Sequence, residues 1–113
     1  MSRLKNLFKK DRNKLIVFIT AGFPKKESTE DLVLQAIEGG ADMIEIGIPF
    51  SDPQADGPII QKASEIALSN GISLPIIFDQ VRSIRKKTDI PIALMGYYNP
   101  VSYTHLTLPT TRL

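Results

Sequence analysis

The sequence predicts an α/β fold built on parallel strands. Short apolar, β-branched runs alternate with segments of helical apolar spacing, in the order strand, helix, strand, helix, helix, strand. Strands separated by helices pair in parallel through right-handed crossovers. The first strand run is continuously apolar, as expected where both faces of a parallel strand are covered. Both open sheets and closed barrels satisfy this order. The 113 residues suffice for one small domain with a real core.

Residues 2–10 carry Leu4, Leu7 and Phe8 against Lys5, Lys9 and Lys10, the pattern of a short amphipathic helix. Leu15-Ile16-Val17-Phe18-Ile19-Thr20 reads as the first strand, ended by Ala21-Gly22-Phe23-Pro24. Ser28-Thr29 offers an N-cap, with Glu30 and Asp31 favoured by the helix dipole in the first turn. Leu32, Ala36 and Ile37 give that helix its apolar spacing, and Gly39-Gly40 ends it. Asp42 to Ile48 alternates cleanly: Ile44, Ile46 and Ile48 on one face, Met43, Glu45 and Gly47 on the other. Pro58 suits the first position of a second helix, which Asn70-Gly71 ends. Ser73 and Pro75 start a third, with Ile77, Val81 and Ile84 inward and Arg85-Lys86-Lys87 in its last turn. Ile90 to Tyr97 reads as the third strand.

Composition narrows the function. The net charge is +2, and the basic residues lie in short scattered groups rather than on one face with aromatic partners, so nucleic-acid binding is not indicated. There is no cysteine, which removes disulfides and thiolate metal sites. The N-terminus lacks the apolar stretch of a secretory signal, and no run is long enough to span a membrane. A cytoplasmic location is the expectation. No Gly-x-Gly-x-x-Gly follows the first strand and no Walker lysine loop occurs, so the common nucleotide-binding readings lose weight.

The chemistry concentrates between Glu45 and Pro58. Two carboxylates, Glu45 and Asp56, flank a loop rich in Pro and Gly. An acid inside a strand is costly unless it has a use or a partner. Facing the interior of a barrel, Glu45 would be poorly solvated, its pKa raised, and able both to donate and to accept a proton. Asp56, in a wetter loop, would stay ionised more readily. The two could then divide roles, one moving protons and one accepting a hydrogen bond from an N–H that becomes positive. The competing structural reading pairs Glu45 with a distant Lys or Arg and leaves Asp56 as a helix cap. Phe18 and Tyr97 would add a flat apolar pocket if their faces look inward with Glu45, or else be ordinary core aromatics.

The run Glu45-Ile-Gly-Ile-Pro-Phe-Ser-Asp-Pro-Gln-Ala-Asp-Gly-Pro58 closely resembles the signature of the tryptophan synthase α subunit family. So do Phe18-Ile-Thr-Ala-Gly-Phe-Pro24, Gly39-Gly-Ala-Asp42 and Met95-Gly-Tyr-Tyr-Asn-Pro-Val101. The resemblance covers roughly residues 1–101 and implies a (β/α)8 barrel, here an N-terminal portion with about three strands, since a whole barrel takes ~250 residues. It implies retro-aldol cleavage of indole-3-glycerol phosphate to indole and glyceraldehyde 3-phosphate. It makes Glu45 and Asp56 the catalytic pair. It places Phe18, Met95 and Tyr97 around the indole ring, and Asp52 and Pro53 in the loop that meets the β subunit of an α2β2 assembly. No cofactor is implied in this subunit; pyridoxal phosphate belongs to the β subunit. The segments that would hold the phosphate, after late barrel strands, are not in this sequence, so the 113-residue chain is expected to lack useful lyase activity. Two alternatives remain: another phosphate-substrate barrel, or a non-catalytic fragment keeping only the β-subunit loop.

Residues 102–113, Ser-Tyr-Thr-His-Leu-Thr-Leu-Pro-Thr-Thr-Arg-Leu, break the pattern, because a helix should follow the third strand. The expectation is an unstructured, non-native tail, with its histidine, His105, outside the chemistry. Sequencing the gene in its genomic context should show a different reading after Val101; an uninterrupted native frame through Leu113 contradicts this.

Overall fold

A computed structural model describes residues 5–7, 13–50 and 57–96. Three strands, β1 (Ile16–Thr20), β2 (Met43–Gly47) and β3 (Ile92–Met95), form one parallel sheet in the order β1-β2-β3. Three longer helices flank the sheet: α1 (Ser28–Glu38), α2 (Pro58–Ser69) and α3 (Leu74–Arg85). The element order is the one the sequence predicts. Residues 5–7 are helical with Leu7 buried; the rest of the amphipathic segment 2–10 and the tail with His105 lie outside the described residues.

Strand parity organises the core. Ile44 and Ile46 are fully buried, and in register with them lie Val17, Ile19, Ile92 and Leu94. This face meets Val33 of α1 and Ile77 and Ile84 of α3 in one continuous cluster. The two helices also contact one another, so they form the outer layer. The opposite face is open: Ile16, Phe18 and Met95 are 48%, 41% and 47% exposed. The first strand is therefore covered on one face only, not on both as its continuous apolar run suggests. Apolar side chains on both sides of a strand announce two coverable faces, but among the described residues helices cover only one.

The helix ends follow local chemistry. α1 and α2 both finish in a Schellman turn. Gly40 (φ 107°) and Gly71 (φ 90°) take the left-handed conformation, and Ala41 and Ile72 donate back to the carbonyls of Ala36 and Ala67. Pro58 and Pro75 sit in the first turns of α2 and α3, where no backbone N–H is needed. The start of α1 differs from expectation. Glu27 holds the N-cap position without a side-chain cap, while Ser28 and Thr29 lie inside the helix. Their hydroxyls accept from the preceding loop instead, Ser28 from the Lys25 N–H at 3.1 Å and Thr29 from the Gly22 N–H at 2.9 Å. The competing acceptor role of a short hydroxyl side chain toward a nearby turn outweighs capping here. The third strand is shorter than Ile90–Tyr97: Ile90 is buried but precedes the ladder.

Glu30 joins the two outer helices. It forms an ion pair with Lys87 and accepts from the Ser83 hydroxyl at 2.9 Å. The Lys87 ammonium, and after it the Ser83 hydroxyl, hold the Glu30 carboxyl below its ordinary range, while partial burial opposes them more weakly. A lowered folded-state pKa means that the unfolded chain binds the proton first. The stabilisation is thus complete at neutral pH and is lost as pH falls through the folded-state value. Because Lys87 stays half exposed, the contribution is at most about 1 kcal/mol. Glu30→Gln should lower the urea midpoint at neutral pH by that order, with the gap closing in acid; a gap that persists unchanged into acid contradicts the assignment.

Candidate active site

The sheet register brings the predicted residues of the first two strands together. Phe18 is the register partner of Glu45, and Glu45 of Ala93; one step on, Thr20, Gly47 and Met95 are aligned. In-register residues of parallel strands share a face, so Phe18, Glu45 and Met95 all stand on the open face, opposite the isoleucine wall. Glu45 is half-buried. Among the described residues no lysine or arginine forms an ion pair with it.

Above Glu45, toward the C-terminal ends of the strands, lies a cavity of about 210 Å³. Its walls are Phe18 and Thr20 of β1, Gly47 and Ile48 from β2 onward, Met95 and Gly96 at the end of β3, and Ile60 and Ser64 of α2. The lining is mainly apolar, with the hydroxyl-bearing Thr20 and Ser64 both buried. Such a cavity suits a flat aromatic group with a few polar contacts. The C-terminal ends of barrel strands are where barrel enzymes hold their reacting groups.

Ile60 and Ser64 are the residues that sequence reading missed. Helical periodicity assigns α2 an inward face but not which surface it covers. The helix contacts β1 and turns Ala63, Ser64 and Ala67 inward: Ala67 joins the core cluster, while Ile60 and Ser64 wall the cavity. Thr20 was within reach of parity alone, being two residues beyond Phe18. Asp52, Pro53, Asp56 and Tyr97 lie outside the described residues. Among the described residues no cluster of three metal-ligating side chains occurs, and no helix is long and apolar enough to cross a membrane.

Gly47 makes room for the aromatic wall. A Cβ placed there would collide with the Phe18 ring, at Cζ first. Glycine at this register position therefore lets Phe18 lie across β2. Gly47→Ala should destabilise the chain by about 1–3 kcal/mol, the usual cost of overpacking, measured as a shift in urea midpoint, and Phe18→Leu in the same chain should recover most of it. Equal midpoints for Gly47→Ala and the parent would contradict the close approach.

Comparison with known proteins agrees with this arrangement. The family model for the tryptophan synthase alpha chain matches residues 4–106. The tryptophan synthase alpha chain of Geotalea daltonii is 53% identical over 105 residues, covering 89% of this chain and 40% of that protein. The crystal structure of tryptophan synthase subunit alpha from Legionella pneumophila superposes with a TM-score of 0.82 at 41% identity, covering 92% of this chain and 40% of that one. A tryptophan synthase complex from Pyrococcus furiosus aligns at 46% identity with a TM-score of 0.73, over 81% of this chain and 38% of that chain. The chain thus spans about two fifths of the length of these relatives, and its three parallel strands are a portion of their (β/α)8 barrel. This chain belongs to the tryptophan synthase alpha chain family.

Proposed function

We propose that this chain carries the ring-binding and proton-handling part of the site at which indole-3-glycerol phosphate is cleaved to indole and glyceraldehyde 3-phosphate, a step of tryptophan biosynthesis. The observation that supports this most is the register Phe18–Glu45–Ala93, which sets an acid without an ion-pair partner among the described residues on the face that bears the apolar cavity. In this reading Glu45 protonates the indole carbon that bears the glycerol chain. The ring becomes a cation with its positive charge shared by the nitrogen, and Asp56 accepts a hydrogen bond from that N–H. The bond from the ring to the glycerol carbon then breaks. Its electron pair restores the aromatic ring, and the hydroxyl on that carbon gives up its proton and becomes the aldehyde. The carboxylate left on Glu45 can accept that proton, so acid and base return to their starting states.

Phe18, Met95 and Tyr97 hold the ring plane, and the cavity's apolar lining favours the neutral aromatic product. In this reading Asp52 and Pro53 are the residues that would meet a β subunit; a related structure from Pyrococcus furiosus is a tryptophan synthase complex. The reaction as written needs no cofactor in this subunit; pyridoxal phosphate would act in the β subunit. Phosphate binding requires segments beyond those present, so catalysis is assigned to the complete barrel and not to 113 residues alone. The intracellular compartment is that of soluble amino-acid biosynthesis, the cytoplasm.

The test uses the chain extended to the length of its relatives. Glu45→Gln there should reduce indole release from indole-3-glycerol phosphate by at least about 10³-fold, within the range for loss of a general acid-base group, with an unchanged circular dichroism spectrum and urea midpoint. Activity within a few-fold of the parent would remove Glu45 from the chemistry.

A further inference from the structure

Asn70, at the C-terminal end of α2, makes a contact that neither the sheet nor the reaction requires. Its side-chain amide donates two hydrogen bonds, to the Gly22 carbonyl at 3.0 Å and the Pro24 carbonyl at 2.8 Å. Both acceptors lie in the loop between β1 and α1, more than forty residues away in sequence. The same loop is held from its other side, where Gly22 N–H donates to Thr29. Beneath it, Ile72 lies so close to Gly22 that an added Cβ would stand 2.7 Å from the Ile72 Cβ. Gly22 also has φ 83°, so the loop cannot easily shift to another conformation and still keep its place over Ile72.

We infer that Asn70 is a positioning residue that locks α2 over the cavity. The geometry is specific to that task. α2 supplies two cavity walls, Ile60 and Ser64, and packs on β1 through apolar contacts that include Ala67, which hold it against the sheet without fixing its orientation. Its Schellman turn satisfies its own last carbonyls but ties the helix only to itself. The Asn70 amide ties the C-terminal end of α2 to the β1–α1 loop. One planar NH₂ group bonding two carbonyls fixes orientation as well as distance. The consequence for ring binding rests on the reading of the cavity as an indole site; the clamp itself does not.

Gln80 provides a matched control. Its side chain also donates to the β1–α1 loop, at the Lys26 carbonyl at 2.8 Å, but from α3, which lines no part of the cavity. The experiment is native-state amide hydrogen exchange on the 113-residue chain, with indole as the binding probe. The chain has no tryptophan, so indole fluorescence reports binding directly. Asn70→Ala, and Asn70→Asp, which keeps the shape but removes the donors, should accelerate exchange across α2 by about tenfold relative to α1 and α3, and weaken indole binding several-fold. Gln80→Ala should do neither to α2. Uniform acceleration of all three helices would make Asn70 an ordinary structural tether and overturn the proposal, as would unchanged exchange in α2. If the parent binds no indole while α2 still loosens selectively in both variants, the clamp stands and the indole-site reading falls.

Discussion

The register between β1 and β2 is the constraint on which the rest of the structure depends. It is pinned before either strand begins. Asp42 accepts the Leu15 N–H on its carboxylate at 2.8 Å while its own N–H donates to the Leu15 carbonyl at 2.7 Å. The offset of that pair is carried unchanged through Ile16–Met43 to Thr20–Gly47. A slip of one residue would exchange every side chain between the faces. It would expose Ile44 and Ile46, each contributing about 1.5–3 kcal/mol through burial, and drive Glu45 into the helix layer. An exposed pair such as Arg82–Asp79 contributes about 1 kcal/mol or less. Hydrophobic burial therefore sets the face on which Glu45 appears, and the acid's position follows from the isoleucines around it.

Two kinds of helix then share one chain. α1 and α3 cover the isoleucine face and are joined through Glu30 to Ser83 and Lys87. α2 closes the strand ends beside β1. The first arrangement makes most of the core; α2 adds Ala67 to it and walls the cavity with Ile60 and Ser64. Glycine is needed at different points in each. Gly40 and Gly71 let helices end, whereas Gly47 keeps β2 low enough for the Phe18 ring to lie over it. The open face is left as a wall of Phe18, Thr20 and Met95 beside a half-buried carboxylate.

Much of this was legible from residue order. Alternation in Met43–Gly47 placed Glu45 opposite Ile44 and Ile46, and Gly39-Gly40 and Asn70-Gly71 marked real helix ends. The long acid-bearing motif from Glu45 to Pro58 carries the family resemblance in residue order alone. What was not legible depended on tertiary context. A continuous apolar run such as Leu15–Ile19 says that both faces can be covered, not that they are. Ser28 and Thr29 carry the chemistry of a cap, yet the nearby loop N–H groups compete for their hydroxyls. An amphipathic helix such as α2 looks the same in sequence whether it flanks a sheet or closes its end, so Ile60 and Ser64 could not be assigned to the cavity. Asn70 read as a helix terminator, which it is, but its side-chain partners lie in a distant loop.

Under the proposed function, the Glu45 face of the sheet, and not the helix-covered face, receives the aromatic ring. The most direct measurement is intermolecular nuclear Overhauser contact between indole and methyl groups of the chain. The structure predicts contacts to the methyls of Met95, Ile60 and Ile48, which line the cavity, and none to Ile44, Ile46 or Val33, which are fully buried on the other side. Contacts confined to the second set, or to methyls remote from both, would contradict it.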